Sequence, residues 1–219
     1  MLSLSDLLPP IFGIMLGPYA GGIGIFLGNL AAMGFGRPPT FFGLDFLPDL
    51  LAVVAIGLLV RHRWTPVIGL YSALFLIFLA NPLTSIFVFS FPFAWLHIAT
   101  FIVLLSPLGR SAGQWIEAPN SKRVTIGLAI LALIGTMIQH LTGSILFEIL
   151  LGQLTSSIPA TAYPGIWASV FFVYPVERLI LVVSAVLVGM PIIWILNNMS
   201  FLRPRSNNSS APDKTNRTS

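Results

Sequence analysis

Cysteine is absent from this 219-residue chain, and only 8% of its residues carry charge. The first absence removes disulfides, thiolate metal sites and cysteine nucleophiles from consideration. The second excludes more. Soluble domains carry about 25% charged residues, so a chain with 8% lacks the charge to cover its own surface in water. The phosphate loop G-x-x-x-x-G-K-[ST] and the zinc motif H-E-x-x-H are missing as well, and no lysine lies within an apolar run. If ATP drives a process in which this chain takes part, another chain hydrolyses it. The short alternating segments of a membrane β-barrel do not occur either. Met1–Leu8 contains Asp6 and no basic residue, so the positively charged start of a signal peptide is not expected.

What the chain has instead is apolar length. Hydrophobic residues make up 56% of it, and five apolar stretches stand out: Phe41–Val60, Trp64–Ala80, Leu83–Leu105, Val124–Leu141 and Val176–Leu196. A helix needs about 20 apolar residues to cross roughly 30 Å of hydrocarbon. Basic residues fall between these stretches: Arg61 and Arg63 after the first, Arg110, Lys122 and Arg123 between the third and fourth, and Arg203, Arg205, Lys214 and Arg217 after the fifth. The three groups lie on alternate loops, hence on one side, and that side is the cytoplasm by the positive-inside rule.

Ahead of these runs lies the glycine-rich region Leu7–Phe35. Pro18 lacks a helix donor and Gly17 weakens a helix, so a short helix, a turn at Gly17-Pro18 and a second helix over Tyr19–Phe35 are expected. The first piece, about ten residues or roughly 15 Å, is too short to cross. The expected architecture is all-α: a polytopic transmembrane helix bundle of about six to seven membrane segments with a cytoplasmic C-terminus. Residues 1–202 form the membrane domain, and the polar stretch 203–219 reads as a disordered cytoplasmic tail. Asn81-Pro82 marks an external turn, Pro92 should kink the third span, and Thr142–Val173 reads as an external loop with a short helix around Ile145–Leu151. The location is a cell membrane, crossed several times.

Candidate functional residues are few. Gly13, Gly17 and Gly21 are spaced by four, as are Gly24 and Gly28. Such spacing lets helices approach closely in lipid, which serves either internal packing or docking of another membrane subunit. Asp45 and Asp49, four apart, fall on one face of the first span. Glu177-Arg178 follows Tyr174-Pro175 at the start of the last helix, where proline fits the first turn. Adjacent helical residues point about 100° apart and do not simply neutralise each other, so Arg178 needs an anionic partner: Glu148, Asp45, Asp49 or a ligand. An intramembrane charge is a functional candidate by default; the alternative is an arginine that snorkels to the headgroups. Gln139 and His140, with Glu148, Tyr163, Trp167 and Tyr174, either line an outward-facing pocket or belong to an interfacial aromatic belt. His62, His97 and His140 are expected at different depths, which argues against a shared metal. No cofactor is called for, and no catalytic set suggests an enzyme.

The stretch LSDLLPPIFGIMLGPYAGGIGIFLGNL (Leu4–Leu30) resembles the second and third helices of the substrate-binding S components of energy-coupling factor (ECF) vitamin transporters. The matching positions are Asp6, Pro9, Gly17, Pro18, Gly21, Gly22 and Gly28. The closing run YPVERLILVVSAVLVGMPIIWIL, with Pro175 and Glu177, is similar to the last helix of that family. The resemblance covers about a third of the chain. It implies a small binder of a vitamin or related micronutrient, open to the outside, embedded in membrane lipid and docked on a transmembrane scaffold subunit coupled to ATPase subunits, with no nucleic-acid partner. It places the substrate at Gln139, His140, Glu177 and Arg178. The competing reading is a non-catalytic structural or accessory subunit of a larger membrane complex.

Overall fold

The computed structural model describes Leu8–Asn198, and side chains as far as Ile195. Asp6 and the polar tail 203–219 therefore lie outside the described residues. Within them the chain is mostly helical, with no strands apart from one two-stranded hairpin.

The glycine-rich region breaks where its sequence requires. Helix α1 (Leu8–Met15) and helix α2 (Gly17–Gly34) meet at Gly17, whose φ of +75° is the left-handed conformation that favours glycine. The chain reverses there, and both pieces pack against α3 (Leu47–Val60). A Cβ added at Gly57 of α3 would run into the backbone of Gly17 and Pro18. Added at Gly13 it would meet Ile56 at 2.8 Å, and at Gly21 Val53 at 2.7 Å. These glycines pack internally. Gly24 and Gly28, on the same helix as Gly21, have nothing within 4 Å among the described residues.

The first apolar run is shorter as a helix than its hydropathy predicts. Leu47 opens α3, while Phe41–Phe46 form turns, held by Asp45, whose carboxylate accepts from the backbone N–H groups of Thr40 (2.9 Å) and Phe41 (3.0 Å). Asp45 thus terminates a loop and does not share a helix face with Asp49. Helix α4 (Trp64–Ala80) follows and ends at the Asn81-Pro82 turn.

The third run, Leu83–Leu105, holds a hairpin and a helix in place of one span, and a further helix follows it. Phe87–Val88 (β1) pairs antiparallel with Phe91–Pro92 (β2), so Pro92 sits in a hairpin and kinks no helix. Helix α5 spans Trp95–Leu105 and helix α6 Pro107–Trp115. The two are bent by 71°. Pro107 cannot donate to the helix behind it, and the Ser106 hydroxyl instead caps α6 by accepting from the Leu108 N–H.

Helix α7 (Ser121–Leu146) runs on through wider, π-type turns over Phe147–Leu154, a continuous 34-residue element. The expected loop over Thr142–Val173 therefore begins only after Leu154: a lone glycine such as Gly143 lowers helix stability by about 1 kcal/mol but does not end a buried helix. Helix α8 (Tyr163–Val170) lies across the same end of the molecule, and α9 (Val173–Asn198) closes the fold.

Helix α7 is the axis. Leu128, Leu131, Ile134, Met137, Ile138 and Leu141 are fully buried, and α3, α4, α5, α6 and α9 all contact it. Arg61, Arg63, Arg110, Lys122 and Arg123 gather at one end, where the Arg110 guanidinium lies 4.4 Å from the Trp64 ring centroid. By length and composition two helices can cross a membrane, α7 with its extension and α9 over Val173–Ile195, and a third if the bent α5–α6 pair is one span.

Candidate functional site

Opposite the basic end, the termini of α3, α7 and α9 surround a cavity of about 520 Å³, with α8 on its rim. Gln139, His140, Glu177 and Arg178 all line it, although the first two lie 37 residues or more from the others in sequence. The antiparallel packing of α7 and α9 brings them together: Gly189 abuts Leu128, and Arg178 reaches the Thr136 carbonyl at 3.4 Å. Phe147, Trp167, Ile166 and Val170 supply apolar wall, and Ser144 a further hydroxyl. The volume falls in the range of roughly 300–1,000 Å³ typical of small-molecule sites.

Charge is concentrated on one wall. Arg178 is 9% exposed, and its guanidinium lies 3.8 Å from the Glu177 carboxylate. The two neighbours therefore do pair, contrary to the 100° argument, because both side chains are long enough to swing toward each other at the helix start. Beside them the Gln139 amide donates to Asp49 at 2.6 Å. This joins α7 to the first turn of α3.

Glu148, one candidate partner for Arg178, is occupied elsewhere. It is fully buried, and its Oε1 lies 2.7 Å from Thr84 Oγ1, which is also 2.7 Å from the Phe78 carbonyl oxygen. The Thr84 hydroxyl is the donor within reach of both oxygens, and it supplies the side-chain partner of Glu148. Tyr163 and Trp167 stand next to it in α8. The Tyr163 hydroxyl donates to the Phe147 carbonyl (3.3 Å), and Trp167 Nε1 donates to the Leu83 carbonyl (2.9 Å). Burial pushes the Tyr163 phenol above its ordinary value. Of the six residues named for a pocket, Gln139, His140 and Trp167 face the cavity, while Glu148, Tyr163 and Tyr174 are buried behind its wall.

The histidines correct a further expectation. His97 and His140 do not lie at different depths: Nε2 of His97 is 3.1 Å from Nδ1 of His140, their ring centroids are 5.2 Å apart, and Tyr174 stacks at 4.9 Å from His140 and 6.0 Å from His97. Helix α5 starts late, at Trp95, so His97 belongs to its first turn and reaches the level of His140. Among the described residues no group of three or more His, Cys, Asp or Glu side chains is placed to hold a metal. Gly109–Gly113 spells G-x-S-x-G, the letters of a nucleophile elbow. Here the run lies inside α6 and not on a strand-to-helix turn, and its glycines press against the backbones of Leu104 and Leu59.

The His97–His140 contact, the Thr84–Glu148 contact and the role of Asp49 were all missed by sequence reasoning. Each joins residues 43 to 90 positions apart, and no local periodicity records such pairs.

The chain is similar to an uncharacterized protein of Methanocaldococcus jannaschii, with 28% identity over 179 residues, covering 80% of this chain and 55% of that protein. It thus spans about half the length of the curated relative it matches. No family model and no solved structure matches it.

Proposed function

We propose that this chain is a multi-pass membrane protein that binds a small molecule from the outer side of a cell membrane, in the manner of an ECF S component, and delivers it with partner ATPases. The supporting observation is the cavity: Gln139, His140, Glu177 and Arg178 line one space at the end opposite the basic residues. In this reading six segments cross the bilayer, namely α2, α3, α4, the bent α5–α6 pair, α7 and α9, and α1 is a half-length piece packed beside α3. The basic end faces the cytoplasm, so the cavity opens outward. Its single cation, two nearby carboxylates and aromatic wall suit a small polar molecule with a planar part, of which a vitamin is one class.

A second reading, a non-catalytic accessory subunit, draws on the exposed side of α2, where Gly24 and Gly28 are open and Ile23, Leu27 and Leu30 are exposed. Small residues flanked by bare apolar side chains suit contact with another helix. The same face would serve an S component as the seat of its scaffold.

Purification from native membranes in mild detergent, with mass spectrometry of proteins and small molecules, separates the two. A scaffold and ATPase pair, or a small molecule retained by the wild type and lost from Arg178→Ala, is the expected result. Recovery of another membrane complex with no ATPase and no small molecule would overturn the transport reading in favour of the accessory one.

A further inference from the structure

Two ring nitrogens 3.1 Å apart, His97 Nε2 and His140 Nδ1, share one hydrogen. Which ring carries it decides what His140 shows to the cavity. His97 is fully buried, and its other nitrogen, Nδ1, has no hydrogen-bond partner among the described residues. If His140 were the donor, His97 Nε2 would accept, and the His97 proton would have to sit on Nδ1. That would bury an N–H with nothing to bond. If His97 were doubly protonated, Nδ1 would again carry an orphan hydrogen, now on a cation close to Arg178. Buried orphan N–H groups are rarer than buried orphan acceptors, and an added intramembrane cation is expensive. One arrangement alone leaves His97 Nδ1 bare: His97 Nε2–H donates to His140 Nδ1, both rings are neutral, and the proton of His140 sits on Nε2.

We infer that His97 acts as a positioning residue that fixes His140 as a hydrogen-bond donor to the cavity, so that the bound molecule meets His140 Nε2–H with an acceptor such as a carbonyl oxygen or an unprotonated ring nitrogen. His140 lines the cavity, and with Nδ1 taken by His97, Nε2 is the ring nitrogen left to face it. The stack with Tyr174 holds the ring in place, and the Tyr174 hydroxyl is itself anchored on the Phe93 carbonyl at 2.7 Å. The donor is therefore preorganised before any ligand arrives. A ligand offering a donor at that point would leave two hydrogens facing each other, and such mismatches discriminate strongly. The significance for specificity rests on the reading of this cavity as a ligand site; the tautomer itself does not.

The test is nitrogen NMR of the full chain, labelled with ¹⁵N-histidine, in lipid nanodiscs with no ligand added. His140 is identified by loss of its signals in His140→Gln, and His62→Asn removes the loop histidine from the spectrum. The expected result is a His140 with Nε2 protonated and Nδ1 bare but hydrogen-bonded. His97→Gln keeps an N–H donor toward His140 and should retain that tautomer. His97→Phe removes the donor and should give a mixture of tautomers, with an unchanged thermal unfolding midpoint and monodisperse elution as the check on folding. Wild-type His140 protonated on Nδ1, or an unchanged tautomer in His97→Phe, would overturn the inference. Neither result bears on whether the chain transports anything, so failure here and failure of the transport reading are told apart.

Discussion

Helices α7 and α9 have the same length, 26 residues each, and both are long and apolar enough to cross a membrane. They are used in opposite ways. Two thirds of the apolar window of α7 is buried inside the molecule (67%), against 22% of that of α9. The difference shows in where polar residues fall. Helix α7 and its extension carry Thr136, Gln139, Thr142, Ser144 and Glu148, all buried among other helices. Helix α9 keeps its charge, Glu177 and Arg178, at the cavity end and turns Leu179, Ile180, Val183, Leu187 and Val188 outward. A helix surrounded by protein can satisfy polar groups on every side, whereas one facing lipid has no partners to offer them. The polar content of an apolar helix is therefore a better guide to its place in the bundle than its hydropathy.

If α7 is the packed axis, adding volume to it should be the most damaging change. A Cβ at Gly135 would collide with Ile56 of α3, so Gly135→Leu should lower stability by about 3 kcal/mol, read from reversible unfolding in mixed micelles. Next in size is the polar contact behind the cavity wall. Thr84→Val takes the partner from a buried carboxyl and should destabilise by about 2 kcal/mol. Glu148→Gln, whose amide oxygen can still accept from Thr84, should stay within about 0.5 kcal/mol of wild type. A large loss in Glu148→Gln with none in Thr84→Val would mean that the Thr84 hydroxyl is not what holds Glu148. The smallest effect belongs to α9: Leu187→Ala, at a position 68% exposed, should change stability by less than about 0.5 kcal/mol. Because the chain has no cysteine, single-cysteine spin labels sharpen the same contrast. A label at Leu187 should be accessible to oxygen dissolved in lipid and one at Leu131 should not; equal accessibility would erase the distinction between the two helices.

The sequence made some of this legible and hid the rest, for physical reasons. The break at Gly17 was readable because Pro18 and a left-handed glycine leave the chain little choice. The start of α9 at Val173 followed from Pro175 in its first turn. Gln139, His140, Glu177 and Arg178 stood out because polar and charged groups in apolar helices need a reason to be there, and all four line one cavity. Hydropathy misjudged Leu83–Leu105, since a strand and a helix made of Phe, Val and Leu are equally apolar. The alternation of exposed Phe87 and buried Val88 is the trace of the hairpin. It also ended α7 too early, reading Gly143 and Gly152 as breaks when tertiary packing carries the helix past the first and wider turns carry it past the second. The pairing of His97 with His140 depends on the late start of α5 and was out of reach of either periodicity.

The most direct test of the central claim is native mass spectrometry of the protein released from its own membranes, comparing wild type with Arg178→Ala. The account predicts a discrete small-molecule adduct on the folded wild-type chain that is absent from the folded variant. The bare polypeptide mass in both, or the same adduct on both, would contradict a ligand site at the cavity lined by Gln139, His140, Glu177 and Arg178.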